Sequence, residues 1–259
     1  MFYRRKLVLA VLEEKGKPLT ADELHQLLLS IAQRQKLPSY DFIPLRGKCF
    51  SFQLQHDLEI MSREGSLSVE NGEYQKQSTD GFSLQLKPAD RSLVMRSESL
   101  AAGDCAVNVN NDSSPALFTI GYEGRSVENY LRALLEQNVT VLCDVRKNAF
   151  SMKFGFSKHQ LKPACEAVGI RYEHIPDLGI ESELRKGIVE KDKLELFRHY
   201  AEDTLPANMD AVNAVLRMIR SGERVVLTCF EAQQCDCHRG PLSALIDKIS
   251  GGKFCPRHL

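Results

Sequence analysis

The residues with most chemistry in them lie between Arg224 and Arg239. There an apolar run, Val225-Val226-Leu227, leads into Thr228-Cys229-Phe230-Glu231 and then Cys235-Asp236-Cys237-His238-Arg239. Thiols, an imidazole, a carboxylate and a guanidinium therefore crowd one strand end, and open α/β sheets place their ligands at the carboxyl ends of strands. Three chemistries are open. Cys229 with Cys-x-Cys-His offers zinc its preferred thiolate and imidazole ligands, but the spacing matches no familiar zinc pattern, so no metal ligand is assigned and zinc stays a secondary cofactor option. Cys229 or Cys237 could act as a nucleophile, activated by a helix start and Arg239. The run from Cys229 to Arg239 is too long for a Cys-x5-Arg phosphate cradle. In the leading reading Glu231, His238 and Arg239 are the active polar set, with His238 suited to acid–base work and the cysteines serving as packing.

A second apolar run, Val141-Leu142, delivers Cys143-Asp144-Val145-Arg146. Asp144 and Arg146 are two apart and share a face. They either form an ion pair or divide the work, Arg146 gripping a phosphate through its planar fork and Asp144 acting as a base. Lys147 and Lys153 add positive charge around Phe154-Gly155-Phe156-Ser157, a loop able to close over a ligand. Gly121-Tyr122-Glu123-Gly124-Arg125-Ser126 is a strand-to-helix turn with Ser126 as N-cap, and it lacks the third glycine of a dinucleotide fingerprint. His174 ends another strand, where a structural role is the commoner one.

These groups need a sheet to hold them. Downstream of residue 114 the pattern alternates: strands are expected at 117–120, 140–145, 171–175 and 224–229, and helices at 126–137, 158–168, 191–203, 208–221 and 241–249. That alternation predicts an α/β unit with a mostly parallel, Rossmann-like sheet and flanking helices. Upstream, Leu7, Val8, Val11 and Leu12 fall at helical spacing, Thr20 and Glu23 form a capping box before a second helix, and a third helix is expected at 50–63. Asn71-Gly72 then marks a type I′ hairpin turn. Three helices followed by a hairpin is the order of a small winged-helix-like domain. The expected division is therefore 1–78 winged-helix-like, 79–114 linker and 115–259 α/β, with 38–47 a loop.

Composition narrows the classes. Of 259 residues, 43% are hydrophobic and 26% charged, which fits a folded chain. Basic and acidic residues balance at 34 each, so no global field draws the protein to nucleic acid or to an anionic membrane. Residues 1–78 are near balance as well, with 11 basic and 10 acidic side chains. The opening apolar run stops at Glu13-Glu14, which predicts an amphipathic helix in a cytoplasmic protein and no membrane partner. The eight cysteines are accordingly expected as reduced thiols.

Taken together, Thr119 to Ser126, Cys143-Asp144-Val145-Arg146, Gly155 to Lys158, Gly169 to Tyr172, Leu178-Gly179, Cys229-Phe230-Glu231 and Cys237-His238-Arg239 resemble the domain of unknown function family 488 over about residues 117–250. The resemblance implies an α/β fold, names no reaction, and places motif positions on Asp144, Arg146, Cys229, Glu231, Cys237, His238 and Arg239. Cys235 departs from the pattern. Tyr40 to Pro44 and Cys49 to Gln53 resemble the winged-helix-like segment joined to such domains, although Leu45 stands where an aromatic residue is usual. Such a fusion implies action on nucleic acid, in a defence or DNA-processing role.

The expectation is thus a protein that binds or processes a nucleotide or nucleic acid in one crevice at the strand ends. Asp144, Glu231 and His238 are the catalytic candidates, and Tyr122, Glu123, Arg146, Lys153, Ser157 and Arg239 the binding ones. Two alternatives stand beside it: a non-catalytic DNA-binding regulator with a ligand-sensing α/β domain, and a rhodanese-like thiol enzyme using Cys229 or Cys237.

Overall fold

The structure, a computed structural model, describes residues 1–78, 80–97, 99–101, 103–181 and 190–259. The chain divides into two compact units, Met1–Val107 and Asn108–Leu259. The stretch expected as a linker, 79–114, is split by that division. Most of it belongs to the first unit, including a helix at Pro88–Met95.

The first unit runs α1 (Tyr3–Lys15), β1 (Leu19–Thr20), α2 (Ala21–Ala32), β2 (Ile43–Leu45), β3 (Lys48–Phe50), α3 (Phe52–Arg63), β4 (Leu67–Glu70), β5 (Glu73–Lys76) and α4 (Pro88–Met95). Strands β1, β5 and β4 form one antiparallel sheet, so three helices and a closing hairpin follow in winged-helix order. Asn71 and Gly72 both take positive φ in the β4–β5 turn, as the type I′ geometry requires. Residues 38–47 are not all loop. Arg46 and Gly47, also at positive φ, turn β2 onto β3 in a second hairpin. Ser51 accepts the Leu54 N–H, which starts α3 after the expected Phe50.

Thr20 and Glu23 form the reciprocal capping box that begins α2. Thr20→Ala is expected to lower the stability of this unit by about 1 kcal/mol, and Thr20→Gly by only a few tenths. Urea titration of the full chain distinguishes the two. One thiol expectation is corrected here: Cys49 and Cys105 are joined in a disulfide, an approach of residues 56 apart that no local pattern reveals. The other six cysteines are not disulfide-bonded.

The second unit is a five-stranded, wholly parallel sheet, in the order β10-β6-β9-β7-β8. Its strands are β6 (Ala116–Gly121), β7 (Val141–Asp144), β8 (Arg171–His174), β9 (Arg224–Cys229) and β10 (Arg257–His258). Helices α5 (Val127–Glu136) and α6 (Lys158–Ala167) follow β6 and β7, whereas α7 (Glu190–His199), α8 (Met209–Arg220) and α9 (Arg239–Ile249) follow β8 and β9. The first two connections advance along the sheet and the later ones reverse. With right-handed crossovers this sends α5 and α6 to one face and α7 to α9 to the other.

The burial agrees. Leu117, Val141, Cys143, Val225 and Leu227 share a core with Val212, Val215, Leu242 and Ile246 of α8 and α9. Strands β6 and β9 are buried at every residue, which is why they read as unbroken apolar runs. Helix α7 passes into a wider π-type turn at Tyr200–Thr204, which brings Tyr200 and Leu205 into that core. Among the described residues no helix is long and apolar enough to cross a membrane.

Candidate functional site

Two buried polar clusters sit at the carboxyl ends of the central strands, on opposite faces of the sheet. On the α5/α6 face, Asp144 takes a bidentate grip from Arg146, with Nε at 2.8 Å and Nη2 at 2.5 Å. It also accepts the Tyr172 hydroxyl at 2.6 Å. The remaining Arg146 nitrogen, Nη1, donates to Tyr122 Oη at 2.9 Å. Burial alone would lower the Arg146 pKa, but the hydrogen bond and charge of Asp144 outweigh it and hold the guanidinium above its ordinary value. Burial, reinforced by Asp144, pushes Tyr172 up, so its phenol stays a donor. Tyr122 stacks on Phe156 with centroids 4.4 Å apart, and Phe156 meets Tyr130 edge-on. The hydroxyl-lined, aromatic surround leaves Asp144 and Arg146 almost wholly buried.

On the other face, β9 ends at Cys229 and α9 begins at Arg239, and between them lie Glu231, Cys237 and His238. The His238 ring donates from Nε2 to the Val145 carbonyl at 3.0 Å. Its Nδ1 faces the sulfurs of Cys229 at 3.7 Å and Cys237 at 3.8 Å. Tyr200, carried in by the π-type turn, packs edge-on against the imidazole at 5.4 Å. The Arg239 guanidinium is buried and donates to the carbonyls of Glu231 (2.5 Å) and Ala232 (2.7 Å). Burial pushes the Cys237 thiol well up, with Cys229 adding to the effect, so it is not a standing thiolate nucleophile. Burial likewise raises the Glu231 carboxyl, beside the two cysteines.

The loops that carry these groups are zipped together. Tyr122 and Glu123 donate backbone N–H groups to the carbonyls of Cys229 and Phe230, and the Glu123 carboxylate accepts the Ala232 N–H at 3.0 Å. Gly121 makes this approach possible, since a Cβ there would lie 1.8 Å from the Glu231 carbonyl oxygen. The zip covers the ends of β6 and β9, where the chain reverses its direction along the sheet. The space that remains open is displaced toward β7 and β8.

The structure therefore groups the sequence candidates differently. Asp144, Arg146 and Tyr122 come together, and Lys153 joins them by donating to the Tyr122 carbonyl at 2.8 Å. Glu231, Cys229, Cys237, His238 and Arg239 also come together. The expectation that both sets share one crevice is corrected. Asp144 lies on the face of Leu142 and Tyr172, whereas Cys229 lies on that of Leu227, and His238 reaches the end of β7 through the Val145 carbonyl.

Arg146 and Arg239 are both spent on internal partners, so neither presents a free fork to a phosphate. Glu123 is a latch between loops. Ser157 is buried and bonds the backbone of Ser151 in both directions.

Sequence reasoning missed Tyr172 and Tyr200. Tyr172 is paired with Leu142 across the sheet, and only the register reveals it. It also missed an open groove of about 620 Å³ beside the ends of β7 and β8, lined by Lys147, Phe150, Lys158, His159, Lys162 and His174 among others. Lys147 and His174 are far apart in sequence, so each stands out there only singly. His174 is fixed there, donating from Nε2 to the Arg146 carbonyl at 2.9 Å and facing Lys158 with Nδ1 at 3.3 Å.

No curated protein and no solved structure matches the chain. A family model, "Domain of unknown function DUF488", matches residues 126–246. This span runs from the cap of α5 into α9 and holds Asp144, Arg146, Tyr172, Cys229, Glu231, Cys237, His238 and Arg239. Residues 126–246 are accordingly a DUF488 domain.

Proposed function

We propose that the second unit binds a phosphate-bearing ligand, a nucleotide or a single nucleic-acid strand, in the groove beside β7 and β8. The observation that carries this reading is the lining: among the described residues it has three lysines, two histidines and no acidic side chain, together with Phe150, which is 63% exposed. Cationic side chains that track phosphates, with an aromatic ring for a base to stack on, are what strand recognition needs. Lys158 and His159 also open α6, whose N-terminal dipole favours an anion. Lys147 pairs with Glu181 and Lys162 with Glu166, both on exposed surface, where such pairs are weak enough to yield to a phosphate.

The phosphate thus goes to lysines, and Arg146 and Arg239 support the loops behind them. The reading is one of binding. Asp144 is enclosed and fully engaged, which does not suit it to serve as a base. The winged-helix-like unit is an adaptor in this reading. Its α3 carries Arg63 and His56 against Asp57 and Glu59, so it adds little phosphate affinity of its own.

Anisotropy with a labelled single-stranded oligonucleotide tests the proposal. Lys158→Ala with Lys162→Ala should weaken binding at least tenfold and reduce the salt slope by about 1.4, two contacts at about 0.7 each. Phe150→Ala should cost about 1–3 kcal/mol of stacking. Competition by a free nucleotide at micromolar concentration would identify a nucleotide as the ligand, and its absence a strand. A double variant that binds like the parent at every salt concentration sinks the groove.

A further inference from the structure

We infer that Cys229, Cys237 and His238, closed by Glu231, form a structural zinc site at the junction of β9 and α9. This goes beyond the groove and does not depend on it.

The ligand atoms of the first three residues all lie within 4.8 Å of one another, and all three residues are buried. A tetrahedral zinc with Zn–S of about 2.3 Å and Zn–N of about 2.0 Å sets S···N edges of about 3.5 Å. The distances from His238 Nδ1 to the two sulfurs, 3.7 and 3.8 Å, are close to those edges. The imidazole is also set as a ligand. Its Nε2 hydrogen is given to the Val145 carbonyl, which leaves the Nδ1 lone pair facing both sulfurs, the outer-sphere arrangement that orients metal-bound histidines.

Glu231, which lies beside both cysteines but outside the set of three mutually close ligand atoms, is the carboxylate that a side-chain rotation would bring to the fourth vertex, and it alone of the four is not fully buried. Charge balances as well. Two thiolates neutralise the dication, and the buried Arg239 guanidinium next in sequence offsets the Glu231 carboxylate. Binding is a plain exchange, in which one zinc ion displaces one proton from each thiol and nothing is oxidised. The two sulfurs, an imidazole and a carboxylate would otherwise be a costly polar cluster at the edge of a core. The metal would tie the end of β9, the start of α9 and the Val145 carbonyl into one unit.

The test is metal content of the full chain, purified with its thiols reduced and dialysed against zinc-free buffer. Mass spectrometry should find about one zinc per chain, reduced to a background level in Cys229→Ser and Cys237→Ser. Cys235→Ser, Cys255→Ser and Cys49→Ser should keep it.

Should the first two variants fail to fold, the parent protein decides the matter. After zinc removal by a chelator, cobalt(II) alone should restore a thiolate-to-cobalt charge-transfer band, and Glu231→Gln should change its ligand-field bands without abolishing the charge transfer. The inference is overturned by a folded, reduced parent chain that holds no zinc and gives no such band. It is equally overturned by a Cys229→Ser/Cys237→Ser chain that retains its zinc, or by recovery of Cys229 and Cys237 as a disulfide from freshly purified protein.

Discussion

Asp144→Ala is expected to destabilise the second unit by about 3–5 kcal/mol, the largest loss of any single change considered for this protein. The removed carboxylate is the partner of a bidentate arginine and of the Tyr172 hydroxyl, and the Arg146 guanidinium left behind is almost wholly buried. An unpaired charge in such a place costs far more than the pair contributed. For the same reason Asp144→Leu combined with Arg146→Met should recover part of the loss, since a hydrophobic pair of similar volume leaves no buried charge, although the Tyr172 hydroxyl still loses its acceptor.

Denaturant titration of the full chain, with hydrogen exchange followed in the peptides of β7 and β8, assigns the loss to the correct unit. A fall below about 1 kcal/mol for Asp144→Ala would mean that the pair contributes nothing to the fold, and that its conformation answers to a ligand instead.

Gly121→Ala is the second large effect, and its origin is steric. A Cβ at residue 121 would stand 1.8 Å from the Glu231 carbonyl oxygen and 2.9 Å from the Ala232 Cα, both backbone atoms, so the 229–232 segment must lift away. The cost should reach about 3 kcal/mol, the upper end of overpacking, because no side chain can rotate out of the way. Gly124→Ala is the control. It meets nothing within 4 Å and carries only the strain of φ +74°, so it should cost about 1–2 kcal/mol. Chemical denaturation of both variants decides the matter, and equal losses would show that loop closure over β6 is unimportant. Lifting that segment also moves Cys229, so Gly121→Ala should lose zinc while Gly124→Ala keeps it.

How far the sequence speaks depends on the reach of each signal. Strands β6, β7 and β9 were legible because they are buried on both faces and so read as apolar runs. The turn at Asn71-Gly72 was legible because only a narrow set of residues accepts its φ values. Strand β10 has two residues, too few for any pattern, and it exists only because β6 offers an open edge.

The site shows the same division. Membership of each cluster was visible, since Asp144 with Arg146, and Cys229 with His238, are near neighbours in sequence. Which cluster faces which side was not, because it depends on how the last residue of a strand falls relative to the sheet. Tyr172 and Tyr200 arrive from distant segments, and the groove is assembled from a loop, a helix start and the last residue of a strand.

Strand β9 presents Thr228 to the face of Asp144 and ends at Cys229, which faces the other way and stands beside Gly121. Insertion or deletion of a single residue within β9 would therefore exchange the two sides at once, placing a thiol among the tyrosines and a hydroxyl against His238. Length in this strand is under tighter constraint than the identity of most of its residues. Substitutions in its apolar run should be tolerated in numbers, whereas no change of length should be.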